Sequence, residues 1–278
     1  MKMSKIKSIL IPSDFSTCSN NALPYAFDLA KKSDASYCLL NVYTTPLGRL
    51  YKSNDKLKLN TLSELKQLSK RANISADKVR LEAVEGNVKK EIAIAATELN
   101  ASLIVIGTRG KTNDRDIFLG SIAKSLVQNA ECPVLSIPDE ADFKGISKIL
   151  YATELKYDET EIVNYIIELA KLYDATVVIS HVDQSKETKE WSLDMLKDIV
   201  DSTSYSKIEY DEIVNSNIEE GINQTIEKHK PDMLAMTTCT GSLIDSIFHF
   251  SLTNRMLMHT NTPLLSFKRT INSTIFLS

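Results

Sequence analysis

Glycine is scarce in this chain. There are 8 in 278 residues, where ordinary usage of about 7% would supply roughly 19. Cysteine and histidine are thin as well, 4 of each. The cysteines, Cys18, Cys38, Cys132 and Cys239, form no C-x-x-C pair, and the histidines, His181, His229, His249 and His259, form no H-x-x-x-H pair. Those absences speak against a zinc site or a disulfide framework, and the cysteines read as small buried hydrophobes in a reducing compartment. No apolar run approaches the ~18 residues of a membrane span. Lysines at 2, 5 and 7 are followed only by the short run Ile9–Pro12, too short for a signal peptide, so the cytoplasm is the expected location. A surplus of either charge is missing too. The balance of 33 basic and 36 acidic residues gives a net charge of −3, and with it no basic face that would suggest nucleic acid.

What is present is ordinary in bulk and unusual in one place. Hydrophobic residues make up 43% and charged residues 25%, as in globular proteins generally. A length of 278 residues suggests two domains, each able to bury a core. Three of the few glycines fall in one loop. Leu103-Ile104-Val105-Ile106-Gly107-Thr108-Arg109-Gly110 reads as a buried strand entering a turn, and Leu119-Gly120-Ser121-Ile122 as the mouth of a helix. Strand, glycine loop and helix start together make a phosphate cradle, in which backbone N–H groups and the helix dipole face an anion. The competing reading is a tight turn with close helix packing. Neither G-x-x-x-x-G-K-[ST] nor G-x-G-x-x-G is present.

Taken in order, Ile6–Pro12 reads as a buried strand ending at the polar turn Ser13-Asp14-Phe15-Ser16. A helix through Ala22, Ala26, Leu29 and Ala30 follows, then a strand over Ala35–Val42. Residues 43–56, with Pro46 and Gly48, read as a mobile loop. Leu57–Ala72 is expected to be helical, Val79–Val84 a strand and Val88–Leu99 an amphipathic helix. After the glycine loop come a helix over Ser121–Asn129 and a last apolar strand within Cys132–Pro138. Strands alternating with helices at this spacing predict an α/β fold, a parallel sheet covered on both faces. In such sheets a ligand sits beyond the carboxyl ends of the strands, where their order reverses. Pro12, Ser13 and Asp14, Val42 and Gly107 are expected to meet there. Asp14 is placed either to accept from a ribose or base, or to cap the following helix.

The second half repeats the first. Lys148–Glu154 matches Ser8–Asp14, Ser180-His181-Val182 matches Leu40-Asn41-Val42, Met233–Thr237 matches Leu103–Gly107, and Thr262–Phe267 matches Cys132–Ile137. The offset is 140 early and 130 late, so the second copy has a shorter middle. This is tandem duplication of a domain rather than a solenoid repeat. The expected domains are 1–140 and 146–278, two doubly wound five-stranded units, with Pro138–Ile146 as the linker.

The loop Gly107-x-x-Gly110-(nine residues)-Gly120-Ser121 resembles the ATP-binding signature of the universal stress protein family. So do Ile9–Asp14, Gly86-Asn87 and Cys132–Leu135. The resemblance spans nearly the whole chain as two tandem domains. It implies ATP binding in the first, with Asp14 and Val42 at adenine and ribose, and Gly107, Gly110, Gly120, Ser121 and Ile122 at ribose and phosphates. Thr108 lies in the same loop, and Arg109 and Lys111 are either phosphate partners or solvated cations. Asp114 and Asp116 either hold Mg²⁺ with the phosphates or are solvated. Ser102 stands where the family often has an acid.

The second copy lacks the signature. Thr237, Thr240 and Phe250 replace Gly107, Gly110 and Gly120, Ser251 keeps the place of Ser121, and Glu154 replaces Asp14. One ATP per chain is therefore expected. The leading functional reading is a nucleotide-binding stress or regulatory protein that is not a dedicated enzyme. The alternative is a slow ATPase or another ATP-using enzyme of the same α/β superfamily. A third reading, a structural module without ligand, suits the second half better than the first. The apolar last strands, Val134–Ile137 and Leu264–Phe267, would be a liability as open edges. They are expected to pair the two domains within one chain, with further pairing of chains left open.

Overall fold

The computed structural model describes residues 5–44, 52–108, 121–155, 158–184, 200–201, 203–240, 252–253, 255–256 and 260–270. The chain divides into two compact units, one spanning Ile6–Phe143 and the other built from Lys144 onward. Each is an α/β unit with a five-stranded sheet, and every strand pairing within the units is parallel. No helix among the described residues is long and apolar enough to cross a membrane.

The first unit runs β1 (Ser8–Pro12), α1 (Thr17–Ser33), β2 (Ser36–Tyr43), α2 (Lys52–Ser69), β3 (Val79–Glu85), α3 (Val88–Glu98), β4 (Leu103–Thr108), α4 (Ser121–Asn129) and β5 (Val134–Pro138). Its strand order is β3-β2-β1-β4-β5. The central strands are near-continuous apolar runs because helices cover both faces: Ile9, Leu10 and Ile11, Leu39 and Leu40, and Leu103 to Val105 are all buried. Helix α1 starts where Ser16 caps it, accepting from Ser19 N, and stops at Asp34, which takes the left-handed conformation at φ 57.

Helix α2 differs from the sequence reading at both ends. Helix α2 begins at Lys52, inside the segment read as a loop. The turn-forming Pro46 and Gly48 precede it, in 45–51, which lie outside the described residues. Lys52–Leu57 contains neither Gly nor Pro and puts Asp55 in the first turn, where a carboxylate favours a helix N-terminus. The helix also ends earlier than expected, at Ser69, passing into a 3₁₀ turn over Lys70–Ala72 that Asn73 closes at φ 49. Part of the segment read as linker is packed structure. Asn21 Nδ2 donates to the carbonyls of Pro138, Asp139 and Ala141 at 3.0, 3.1 and 2.8 Å, and Phe143 sets its ring edge-on to Tyr25.

The second unit runs β6 (Lys148–Thr153), α5 (Thr160–Tyr173), β7 (Thr176–Asp183), β8 (Ile208–Val214), α6 (Ile218–His229), β9 (Met233–Thr240) and β10 (Leu264–Thr270), in the order β10-β9-β6-β7-β8. The duplication is visible in the backbone. Left-handed Asp34 and Asp174 end α1 and α5, and left-handed Phe15 (φ 61) and Leu155 (φ 56) follow β1 and β6. Non-glycine residues adopt this conformation rarely, so its recurrence at the same offset reflects one ancestral chain path.

Candidate functional site

Strand order reverses at β1, which has β2 on one side and β4 on the other. The register pairs Pro12 with Leu40 and Leu10 with Ile104. Carried forward, it sets Asp14 level with Val42 on one side and Thr108 on the other. Pro12, Ser13, Asp14, Val42, Gly107 and Thr108 therefore gather at the carboxyl edge of the sheet, at the switch point where α/β sheets bind ligands. Ser121 and Ile122 open α4. Arg109, Gly110 and Gly120, with Lys111, Asp114 and Asp116, lie outside the described residues.

The turn after β1 is fixed from several directions. Ser13 N donates to Leu40 O at 2.8 Å, and Asn41 Nδ2 donates to Ser13 O at 2.7 Å. The buried hydroxyls of Ser13 and Ser19 lie 3.3 Å apart. Asp14 is exposed, and its Oδ1 accepts from Ser16 N at 3.0 Å and Ser16 Oγ at 2.5 Å. It does not cap α1, because Ser16 does. Partial burial would raise the Asp14 pKa, but the hydroxyl and N–H of Ser16, with the hydroxyl of Ser19, outweigh it and hold the carboxyl below its usual 3.8. It is ionised at neutral pH and accepts hydrogen bonds only, which suits a ribose diol or a base N–H.

Gly107 has a packing reason of its own. A Cβ there would come within 2.2 Å of Cys18 O and 3.0 Å of Ser19 N. The first turn of α1 leans directly on the strand, and only glycine leaves room. Thr108 is buried and its hydroxyl donates to Ile137 O at 3.3 Å, tying β4 to β5. Asn41 and Ser19 were not among the residues expected from sequence to build this edge. The match of Asn41 with His181 was the available signal: His181 Nδ1 lies 3.0 Å from Thr153 O, the same bridge one copy later.

The corresponding edge of the second unit is different. Helix α5 begins at Thr160, and both helices end at aspartates 140 residues apart. Asp158 and Glu159, which match Cys18 and Ser19, precede α5, so among the described residues this helix starts later than α1. In the first unit the contact that demands glycine is with the helical backbone of Cys18 and Ser19; in the second, the matching Asp158 and Glu159 lie ahead of the helix and Thr237 stands at the place of Gly107. Gly241, Phe250 and Ser251 lie outside the described residues, and the side chain of Thr240 is likewise not described. Among the described residues no group of His, Cys, Asp or Glu is placed to hold a metal ion.

A five-stranded parallel unit with its switch-point edge formed by Ser13-Asp14, Val42 and Gly107-Thr108 is the class of fold that comparison with known proteins identifies. The family model described as the universal stress protein family matches residues 5–138. A universal stress protein of Methanocaldococcus jannaschii is 36% identical over 138 residues, covering 47% of this chain and 81% of that protein. The chain belongs to the universal stress protein family, a family of stress-response proteins. The crystal structure of a universal stress protein from Archaeoglobus fulgidus DSM 4304 superposes with a TM-score of 0.76 at 19% identity, covering 96% of this chain and 100% of that one. At that identity the likeness speaks to the fold alone, and it extends across both units.

Proposed function

We propose that the first unit binds ATP in a stress-response or regulatory role, and that the second does not bind it in the same way. The observation that supports this most is the convergence of β1, β2 and β4 at the switch point, with an ionised, exposed Asp14 on a turn held by Asn41 and Ser16. Asp14 and Val42 would receive ribose and adenine, with Pro12 and Ser13 forming the floor. Gly107, Thr108, Arg109, Gly110, Gly120, Ser121 and Ile122 would enclose ribose and phosphates, with Mg²⁺ accompanying the nucleotide. Bound there, the nucleotide supplies an anionic triphosphate, and the chain's contribution is position and hydrogen bonds.

In the second unit Val182, the counterpart of Val42, is taken up by packing. Gly221 of α6 sits so close that a Cβ would lie 2.6 Å from Val182 Cγ1. Glu154 replaces Asp14 with a longer side chain. Titration calorimetry should return one ATP per chain. Gly120→Val should weaken it at least about tenfold, roughly 1.4 kcal/mol; unchanged affinity, or a second site surviving that substitution, would overturn the assignment. Turnover is expected far below the ~10 per second of a median enzyme. Hydrolysis near that rate, lost in a folded Asp14→Ala protein, would favour the ATPase reading. The proposal also includes pairing of the two units through β5 and β10 within one chain, for which a cysteine cross-link between these strands is the test. The cytoplasm is the proposed location.

A further inference from the structure

Glu159 is only 2% exposed. It occupies the N-cap position of α5, yet its side chain makes no capping bond. Asp158 supports the helix start instead, accepting from Thr160 N at 2.9 Å and from the Thr160 hydroxyl at 2.5 Å. The Glu159 carboxyl turns inward. Thr153 Oγ1 donates to its Oε2, and the same hydroxyl accepts from Leu155 N at 3.0 Å. Tyr151, fully buried on β6, lies against the carboxyl as well, though its hydroxyl makes no well-formed hydrogen bond. In the first unit the same positions are Ile11, Ser13 and Ser19, a neutral set joined by the Ser13–Ser19 hydroxyl contact. The second copy therefore holds a buried acid and a phenol at a junction where the first holds neither.

The surroundings favour the neutral acid. Burial dominates and pushes Glu159 up to about 7 from its usual 4.5, and the charge of Glu154 in the junction adds to this. The Thr153 and Tyr151 hydroxyls and the positive charge of Arg269 on β10 act the other way and do not offset it. From β7, His181 Nδ1 reaches the backbone of Thr153 rather than the carboxyl. Burial likewise pushes the Tyr151 phenol well above its usual range. The chemistry of the donors agrees. A protonated carboxyl keeps the bond it accepts from Thr153 and holds no charge away from water. An ionised carboxylate in the same place must bear the cost of a charge held away from water.

We propose that Tyr151, Thr153 and Glu159 form a proton-sensing latch in the second unit: the neutral Glu159 closes the junction of β6 with α5, and its ionisation releases the start of α5. The only chemical change is transfer of one proton from Glu159 to solvent. No nucleotide is required, so the latch stands or falls independently of ATP binding. The sign follows from linkage. Between about 4.5 unfolded and about 7 folded, the folded state holds the extra proton. The contribution is therefore complete below the lower value and is lost as pH rises through the upper one.

The test is hydrogen exchange of the full chain from pH 5 to pH 8, corrected for the intrinsic rate, read on peptides covering Thr160–Tyr173. Protection should fall as pH rises, with a midpoint near neutrality. Glu159→Gln, which keeps the shape of the neutral acid, should remain protected with no midpoint. Tyr151→Phe should move the midpoint upward, because the hydroxyl that favours the charged form is gone. Infrared difference spectra of the unsubstituted chain should show a protonated carboxyl titrating over the same range, so the idea is testable even where Glu159→Gln does not fold. A flat wild-type profile, or a midpoint that persists in Glu159→Gln, would overturn the latch.

Discussion

At the junction of β1 with α1 the buried contact is one serine hydroxyl against another, Ser13 and Ser19. At the junction of β6 with α5, 140 residues on, it is Thr153 against a carboxyl. The same pair of elements also meets at a different depth: α1 lays its first turn against Gly107, whereas α5 starts later. Elsewhere the copies agree closely. Both bridge the second strand to the end of the first, through Asn41 or His181. Both use a threonine, Thr108 or Thr238, to tie the fourth strand to the last. The divergence is concentrated at the carboxyl edge, where ligands meet such sheets, while the scaffold beneath is retained. A duplicated domain can change its site without changing its fold because the core and the edge are served by different residues.

The sharpest way to break this comparison is to exchange the residues at the helix–strand contact. Gly107→Thr places a Cβ against the backbone of Cys18, which has no flexible end to move aside. Overpacking of this kind costs typically 1–3 kcal/mol, and against a helix backbone we expect about 3 kcal/mol or more from the first unit. The reverse change, Thr237→Gly, only loosens a strand and should cost about 1 kcal/mol. Denaturant unfolding, with exchange protection to tell the units apart, measures both. Equal costs would show that the late start of α5 is not what admits threonine at position 237.

Much of this fold was legible in the chain, and the reason is periodicity. Runs such as Leu103–Ile106 and Val177–Ile179 have no polar face because helices cover both sides. The duplication was legible because whole strands recur with their flanking turns. Gly107 could be picked out, but its contact with α1 could not, since it depends on how far a helix extends toward a strand remote in sequence. The late start of α5 leaves no mark of Gly or Pro between Thr153 and Thr160. Nothing in the sequence around Glu159 marks it out, and only its burial distinguishes it from other acids near a helix start. The start of α2 was misjudged because Pro46 and Gly48 drew the loop too far along the chain.

A second exchange concerns the residue before each fourth strand. Asp232 Oδ2 accepts from Ser147 N at 2.7 Å, Ser147 Oγ at 2.6 Å and Lys148 N at 3.0 Å, and so gathers the entry to β6. In the first unit Ser102 Oγ accepts from Lys7 N and Ser8 N at 2.9 and 3.0 Å and lies 2.9 Å from Ser8 O. The position is shared, and the charge is not. Hydrogen bonds to ionised groups are stronger than neutral ones. Asp232→Ala should therefore cost the second unit about 2 kcal/mol, and Ser102→Ala the first about 1 kcal/mol. A larger loss at Ser102 would mean that the acid of the second copy does not strengthen the clasp.

The smallest effect is expected where the copies agree. Asn87 caps α3 by accepting from Lys90 N at 3.2 Å, and Asn217 caps α6 by accepting from Glu220 N at 3.3 Å. Both follow strands that end in the same register, and both satisfy one of the N–H groups that a helix start leaves open. Removing such a cap costs about 1 kcal/mol. Asn87→Ala and Asn217→Ala should each cost that amount, within about 0.5 kcal/mol of each other as independent sites. The first turns differ in charge, with Glu91 in α3 but Glu219 and Glu220 in α6. Carboxylates there interact favourably with the helix dipole, and Glu219 is also held by Arg255 Nε at 2.7 Å. If these acids compensate for a lost cap, Asn217→Ala will be the milder change, and more so at low salt, where such interactions are least screened. Equal losses that salt does not alter would show that the cap hydrogen bond alone sets the start of each helix, and that divergence between the copies stops short of this part of the scaffold.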